Sequence, residues 1–273
     1  MKIASKYILL LLGTLLFFVL NLLLGTVHIP IDAILCILFG DESQPEIWHN
    51  IILSSRVPQA LTATVAGAGL AVSGLQMQTV FRNPLAGPSV LGISNGASLG
   101  VAFIVLMSGS LGGVALSRLG YLGDAAMSIA AIVGSLAVMA LILYVSQKVK
   151  GNVTLLIIGV MIGYLATAII GVLKFFSAEE DVKAYVVWGL GSFARVSGDQ
   201  MMLFVGLMTG LLPLSMLLCK TMNLLLLGDY YASNLGLNLK RARLLVISSS
   251  GILVAIVTAY CGSIMFIGLA VPH

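Results

Sequence analysis

Long apolar runs without charged residues dominate the pattern of the chain. Each run is close to the roughly 20 residues that a helix needs to cross a bilayer. Because backbone groups find no water to bond with in hydrocarbon, such runs predict helices and not open strands. Residues from 265 onward predict the beginning of an eighth span, and seven runs qualify in full: 7–27, 58–81, 90–109, 125–145, 153–173, 201–219 and 244–261. The predicted class is an all-α, polytopic membrane protein.

The composition agrees with this class. Of 273 residues, 59% are hydrophobic and 9% are charged, whereas soluble domains carry about 25% charged residues. The first run is too long for a signal peptide, and no small-residue cleavage pattern follows it before His28, so we expect it to be kept as the first span. The net charge of +4 reflects topology and does not indicate a nucleic-acid partner.

The basic residues favour one orientation in the membrane. With a cytoplasmic N-terminus and alternating spans, nine Lys and Arg residues fall inside and five outside. An excess of basic residues inside is the bias that sets orientation. Asp229 is the one acidic residue assigned to the inside. The inside set is Lys2, Lys6, Arg82, Lys148, Lys150, Lys220, Lys240, Arg241 and Arg243, and the outside set is Arg56, Arg118, Lys174, Lys183 and Arg195.

The segments between the spans carry further signals. Outside, residues 31–39 predict a short interfacial helix, and residues 177–200 are too long and apolar for a plain turn. Inside, residues 221–243 are punctuated by Gly228 and Gly236 but are rich in leucine and tyrosine. The three cysteines form no CxxC pair, so we expect buried structural thiols. The three scattered histidines argue against a metal site.

A corner, FRNPLAGPSVLG at residues 81–92, joins the second and third spans. Its two prolines stop helix continuation, and the proline after Asn83 biases that residue to extended backbone. Glycines at every fourth position then form faces on which another helix can approach closely. They are Gly92, Gly96 and Gly100 in the third span, Gly159 and Gly163 in the fifth, and Gly206 and Gly210 in the sixth. Polar residues such as Asn95 lie among them, which suits either interhelical bonds or a wet pathway.

Three long motifs resemble a single family. Residues 56–100, RVPQALTATVAGAGLAVSGLQMQTVFRNPLAGPSVLGISNGASLG, are similar to the signature of the membrane permeases of type II ABC importers, which take up iron–siderophores, haem and vitamin B12. Residues 227–245, LGDYYASNLGLNLKRARLL, resemble the cytoplasmic coupling region of that family. Residues 261–273, CGSIMFIGLAVPH, resemble its block after the seventh span. The likeness extends over essentially the whole chain.

The resemblance implies a transport subunit and not an enzyme, without a cofactor. The family has ten spans, so about seven and a half are present here, and residues 1–273 form a single permease domain about 60 residues short of the full set. The implied partners are a second permease subunit, identical or homologous, two cytoplasmic ATPase subunits, a periplasmic or lipid-anchored substrate-binding protein, and membrane lipid. The implied location is the bacterial cytoplasmic (inner) membrane.

The resemblance also assigns residues to roles. Coupling to the ATPase would rest on short helices containing Gly228, Asp229, Ala232, Leu235 and Gly236. The cytoplasmic gate would lie at Gly151, Asn152 and Val153, and the pathway or its packing would involve Gly92, Asn95, Gly96, Gly100, Gly159, Gly163 and Thr167. The family pairs two arginines of an RLPR string with its binding protein. Here Arg56 is kept but Gln59 stands at the second position, and Arg56 suits ordinary interfacial anchoring equally well.

Three other classes of protein compete with this interpretation. An ion-coupled secondary transporter is the main alternative, but the seven spans contain no Asp, Glu, Lys or Arg to carry a coupling ion. Backbone carbonyls at broken helices can also hold such ions, so this alternative stays open. An intramembrane enzyme is disfavoured because the spans contain no Ser/His pair, HExxH motif or paired carboxylates. A passive channel would transport independently of ATP.

Overall fold

The computed structural model describes residues 3–40, 43–108, 121–149, 151–196 and 198–272. Within these ranges the regular structure is helical, with no β-strand. Four residues used in the predictions above, Lys2, Arg118, Lys150 and His273, lie outside the described residues. For Asn152 only the backbone is described.

Thirteen α-helices make up the described chain. They are α1 (Ile3–Leu23), α2 (Ile31–Leu38), α3 (Glu46–Ile51), α4 (Val57–Phe81), α5 (Ile93–Ser108), α6 (Tyr121–Lys148), α7 (Asn152–Phe176), α8 (Glu179–Gly189), α9 (Asp199–Met216), α10 (Cys219–Leu226), α11 (Asp229–Asn234), α12 (Leu239–Cys261) and α13 (Ile267–Ala270). A π-helical turn, Ile52–Arg56, joins α3 to α4. The short helix predicted at residues 31–39 is confirmed as α2, and its interfacial position stays a prediction.

Fewer helices than predicted are long enough to cross a membrane as a single rod. Among the described residues five qualify, in α1, α3–α4, α6, α7 and α12, and a sixth qualifies only if α9 and α10 are counted together across a 46° bend. The remaining predicted span, residues 90–109, contains the 16-residue helix α5. The predicted count of seven is therefore too high by this criterion.

The late start of α5 and the bend between α9 and α10 each have a local cause. Residues Pro88–Leu91 form a 3₁₀ turn and Gly92 has a φ of +74°, so the third span begins at Ile93 and not at residue 90. In the sixth predicted span, Pro213 leaves α9 without one of its helical N–H donors. The N–H groups of Leu217 and Leu218 then bond three residues back, which tightens the last turn before the bend.

The chain divides into two compact units, which we describe separately. The first comprises Met1–Ala66 and Phe193–Leu207. Its core is a cluster of five isoleucine and alanine side chains around α2, namely Ile29, Ala33, Ile34, Ile37 and Ile52. This burial of one apolar face explains why a helix of only eight residues is stable here.

The second unit comprises Gly67–Ser192 and Met208–His273, and its core lies around α5. Side chains of α5, α6, α7, α8 and α12 form the cluster, including Val101, Ala131, Trp188 and Ala259. Burial raises the pKa of the Tyr185 phenol in α8, and a hydrogen bond with Ser98 lowers it by less. The phenol therefore stays protonated at neutral pH, as its place in an apolar cluster requires.

Helices α5 and α6 pack with their backbones in direct contact. A methyl group built on Gly100 would overlap the carbonyl of Ala130, and one built on Gly134 would overlap the carbonyl of Gly96. Ser135 adds a hydrogen bond from its hydroxyl to the carbonyl of Ile93 at 3.3 Å. The glycine face predicted for the third span thus serves close packing.

The glycine face predicted for the sixth span has no such contact. A methyl group built on Gly206 or Gly210 would meet no atom within 4 Å among the described residues. The packing predicted for these two glycines is therefore absent from the described chain, because no other helix of it reaches that face.

The cysteine prediction was right for one residue and wrong for another. Cys261 is buried, Cys36 is half-buried and Cys219 is exposed. Cys219 is the first residue of α10, directly after the bend, and the neighbouring Leu217 is exposed as well.

Substitution of Gly100 tests the contact between α5 and α6. We expect Gly100→Ala to lower the free energy of unfolding by about 1–3 kcal/mol, because the added methyl group meets backbone atoms that cannot rotate away. The control is Gly171→Ala in α7, where the methyl group meets open space and helix propensity alone should leave stability equal or slightly higher. Thermal unfolding in detergent measures both, and equal stability of the two variants would contradict the packing role.

Candidate functional site

The corner between α4 and α5 turns through a strained residue. Arg82 has a φ of +48°, which is unusual for a residue with a side chain. The side-chain oxygen of Asn83 then accepts a hydrogen bond from the N–H of Leu85 at 2.9 Å, as in an Asx turn. Ala86 and Leu91 are fully buried, so the corner is packed into the protein.

The side chain of Arg82 reaches the α10–α11 segment. Its guanidinium donates to the carbonyl of Leu225 at 2.9 Å and to Oδ1 of Asp229 at 2.6 Å. Arg243, in the second turn of α12, donates to Oδ2 of the same carboxylate at 2.7 Å. Asp229 is therefore held between two guanidinium groups from the end of α4 and the start of α12. We call Arg82, Asp229 and Arg243 the clasp.

The short helix α11 has well-defined ends. Gly228 precedes it with a φ of +104°. After it, Gly236 has a φ of +84° and its N–H bonds to the carbonyl of Ser233, while the N–H of Leu237 bonds to the carbonyl of Ala232. These two bonds form the helix-ending motif that favours glycine at this position. The glycines of the predicted coupling segment thus shape its turns.

One side of this segment exposes large apolar side chains. Ala232 is fully buried and ties α11 to the protein. Tyr230 is 75% exposed and Leu235 is 62% exposed, although neither lies in a predicted span. We call the exposed set the coupling patch: Leu226, Leu227, Tyr230, Tyr231 and Leu235. Contiguous apolar surface of this kind marks a protein contact more often than bare solvent exposure.

The predicted gate and the predicted coupling segment share one cavity. Gly151, with a φ of +130°, precedes α7, and no described side chain caps this helix end. Gly151 lines a cavity of about 360 Å³ together with Asp229 and Arg243. Val153 is exposed. The fold has thus brought together residues about 80 positions apart in the chain.

Arg56 occupies a different kind of place. Its guanidinium is only 6% exposed and donates to the carbonyls of Leu22, Leu23 and Val27, at and just beyond the end of α1. A cation at a helix C-terminus satisfies carbonyls that lack intrahelical partners. This is the geometry of an anchor, and docking by Arg56 stays a prediction.

The residues predicted for the pathway or its packing lie at helix contacts. Gly96 and Gly100 face α6, as described above. A methyl group on Gly92 would lie 3.0 Å from the carbonyl oxygen of Gly159, and one on Gly163 would crowd the amide of Asn95. The hydroxyl of Thr167 bonds back to the carbonyl of Gly163 at 2.9 Å. Helix α7 is therefore seated on the corner and on α5 through its glycines.

The third motif packs against two parts of the first motif at the corner. Gly268 lies so close to Gly74 that a methyl group on either would meet the backbone or ring of a neighbouring motif. The amide of Gln78 donates to the carbonyl of Leu269 at 3.2 Å. The ring of Pro88 lies beside Gly268 as well. The SGLQ, NPLAGP and IGLAVP strings, distant in sequence, therefore form one packed region.

A model of the FecCD transport family matches residues 11–273. The chain belongs to the FecCD transport family. The resemblance drawn from the three motifs is confirmed.

Curated relatives in this family are transport permeases. The chain is 36% identical over 266 residues to a hemin transport system permease protein of Yersinia pestis, covering 97% of this chain and 77% of the relative. It is 35% identical to a vitamin B12 import system permease protein of Serratia proteamaculans, covering 86% of this chain but 65% of that protein. A probable iron chelatin transport system permease protein of Helicobacter pylori is 36% identical, with 92% and 80% covered.

A solved structure shares the fold of this FecCD chain. It shows an inward-facing conformation of a metal-chelate type ABC transporter, with a TM-score of 0.75 and 28% sequence identity. The match covers 96% of this chain and 78% of the other. The predicted all-α permease fold is thereby confirmed.

Membership of the FecCD family settles the class of activity. The chain is a multi-pass permease subunit of an ABC importer in the inner membrane, and an ion-coupled secondary transporter is not favoured. ATP is hydrolysed in a separate subunit, so the chain is not itself an enzyme. The family works with an ATPase and a substrate-binding protein.

Two members of the clasp were not assigned a role from the sequence. Arg82 and Arg243 were counted only as inside basic residues, although they hold the predicted coupling residue Asp229. The available signal was the isolation of Asp229, a single carboxylate among nine inside cations. Which two of those cations it would bind depends on the fold.

Removing the charge of Asp229 tests the clasp. We expect Asp229→Asn to speed hydrogen exchange at the backbone amides of α11, because both ion pairs are lost. The carboxylate is 46% exposed, so the global free energy of unfolding should fall by about 1 kcal/mol or less.

Asp32→Asn on α2 is the matched control, since Asp32 is also an exposed carboxylate in the first turn of a short helix. Exchange at α11 should be unchanged in this variant. If Asp229→Asn also left α11 exchange unchanged, the clasp would have no role in holding the segment.

Proposed function

We propose that this permease forms the pathway for a metal chelate, namely an iron–siderophore, haem or cobalamin, and is driven by an ATPase docked on the coupling patch. The relatives named above act on hemin, vitamin B12 and an iron chelate, which supports this substrate class. The observation that carries the proposal is an exposed apolar patch held by ion pairs to two helices. Such a segment suits the transfer of motion from a partner into the membrane helices.

The coupling patch suits insertion into a cleft of the ATPase. Its exposed side chains are leucines and tyrosines, and aromatic residues in particular are enriched at protein interfaces. Each predicted coupling residue then has its own role: Gly228, Asp229, Ala232, Leu235 and Gly236. The glycines set the turns at the two ends of α11, and the buried Ala232 packs α11 against the protein. Leu235 contacts the ATPase, and Asp229 joins the segment to Arg82 and Arg243.

The clasp gives a physical route for coupling. A displacement of α11 acts on Asp229, which is bonded to the end of α4 through Arg82 and to the start of α12 through Arg243. Ion pairs with two charge-assisted bonds to one carboxylate transmit a pull better than apolar contact does, because they are directional. Motion of the docked ATPase would therefore reach both helices together.

The proposed gate is Gly151, Asn152 and Val153, of which Gly151 lines the same cavity. Gly151 adopts a backbone conformation that only glycine adopts readily, so it suits a hinge between α6 and α7. Opening would follow when movement of α12 and α11 changes the shape of the cavity. In this scheme Gly159, Gly163 and Thr167 hold α7 to its neighbours while α7 moves as a rod.

A second permease subunit, identical in the proposed homodimer, completes the pathway. Outside its glycine contacts, α7 exposes an apolar face that the described chain leaves uncovered, including Ile157, Met161, Tyr164 and Leu165. These residues recur at helical spacing, as expected for one face. We propose that this face, and not the glycine face, lines the pathway between the two subunits.

Orientation and binding-protein docking complete the proposal. The N-terminus is cytoplasmic, which places the coupling patch on the ATPase side. Arg56 then lies on the outer side, where it anchors the segment after α1 and shapes the surface that receives the binding protein. One charged position there instead of two makes docking less dependent on ion pairs and therefore less sensitive to salt.

A bulky substitution at Gly236 tests coupling. We expect Gly236→Trp to prevent recovery of the ATPase with the tagged permease in mild detergent and to abolish ATP-driven uptake in proteoliposomes. The physical reason is added bulk next to the coupling patch at a position that opens to solvent. Uptake is measured with labelled haem, cobalamin and a ferric siderophore, with the binding protein present, and the parent protein should take up one of them.

Gly40→Trp is the control for backbone strain. Gly40 follows α2 with a φ of +87°, close to the +84° of Gly236, and also meets open space. This variant should keep the ATPase and the uptake. If Gly40→Trp lost ATPase recovery and uptake just as Gly236→Trp does, backbone strain and not the coupling patch would be responsible. Uptake that continues without ATP would overturn the proposed function.

Cysteine labelling tests the orientation. Cys219 is exposed at the start of α10, so a membrane-impermeant maleimide should label it only after the cells are permeabilised. Cys219→Ser should remove this label. A Glu46→Cys variant, at an exposed position of α3, should be labelled in intact cells. The reverse pattern would invert the proposed topology.

A further inference from the structure

The cavity between gate and coupling segment is strongly cationic. Its lining includes Lys148 at the end of α6, and Lys240 and Arg243 in the first turns of α12. The charge opposed to these three cations is the carboxylate of Asp229, which two guanidinium groups already engage. The cavity therefore has a net positive charge that its own residues do not balance.

The backbone adds to this positive potential. Helices α7 and α12 both begin at the cavity, with Gly151 and Leu239 in its lining. The first N–H groups of a helix lack intrahelical partners and carry a partial positive charge. Asn238 caps α12 through its side chain, whereas the residue before α7 is Gly151, which has no side chain to act as a cap. In the described part of the chain, the N-terminus of α7 thus presents uncapped donors beside the cavity.

A buried donor of Arg243 points to the same chemistry. Its Nε is buried and has no hydrogen-bond partner among the described residues, although the terminal nitrogen of the same group binds Asp229. An unsatisfied buried donor on a charged group is costly, about 1–3 kcal/mol or more. Because Arg243 lines the cavity, this unpaired donor adds to the positive potential beside it.

We propose that this cavity binds a phosphate group, carried by an anionic phospholipid headgroup or present as a free phosphate. The cavity volume of about 360 Å³ is within the range of small-ligand sites, roughly 300–1,000 Å³. It lies where α6 ends and where α7 and α12 begin, the level at which headgroups meet spanning helices in either orientation. A bound phosphate joins the gate turn to the start of α12, and in the function proposed above, on which this step rests, it tunes the coupling of gate and clasp.

Ligand-dependent thermal unfolding of the full chain in detergent tests this site. The probes are short-chain phosphatidylglycerol, short-chain phosphatidylcholine as an acyl-chain control, and inorganic phosphate at matched ionic strength. We expect phosphatidylglycerol or phosphate to raise the unfolding temperature. In a Lys148→Gln/Lys240→Gln double variant the apparent Kd for the effective probe should rise by about tenfold or more.

Lys220→Gln is the matched control, because Lys220 is an exposed lysine at the start of α10 that does not line the cavity. This variant should bind like the parent. A shift with phosphatidylglycerol alone identifies a lipid headgroup, and an equal shift with inorganic phosphate identifies free phosphate. The proposal is overturned if neither probe shifts the parent, if phosphatidylcholine acts as strongly as phosphatidylglycerol, or if the double variant binds like Lys220→Gln.

Discussion

Contact between helix backbones at glycine is the constraint on which the second unit depends. In hydrocarbon there is little hydrophobic force between helices, so they associate through close packing and a few hydrogen bonds. At Gly100 and Gly134 the carbonyls of the facing helix fill the space of a side chain. The same device seats α7 on the corner and α13 on α4. The positions of α5, α6, α7 and α13 in this unit depend on these contacts.

A single carboxylate organises the segment that we propose meets the ATPase. Asp229 lies in a region rich in cations, and an uncompensated cationic cluster would repel itself. Its ion pairs with Arg82 and Arg243 offset part of that repulsion and form two directed contacts. Lys148 and Lys240 line the neighbouring cavity, so the proposed anion site lies beside the segment that Asp229 holds.

Much of the fold follows from the sequence because hydropathy and glycine spacing are local signals. The corner is a clear case, since Pro84, Pro88 and the left-handed Gly92 end one helix and delay the next. The shortened α5 and the bend after Pro213 were missed, because an apolar run shows that a segment suits lipid but not where its helix begins or bends. Exposure of Cys219 was missed for a related reason: burial depends on neighbours that are remote in sequence.

The sequence by itself determined the class of protein and, through three motifs, the family; it also predicted the segments proposed for coupling and gating. Only the tertiary structure decided which residues meet. It showed that Arg56 caps a helix end, that the glycines predicted for the pathway or its packing lie at helix contacts, and that Gly151 and Asp229 line one cavity. The reason is that ion pairs and cavities depend on the approach of side chains many residues apart, and composition and periodicity carry no record of that approach.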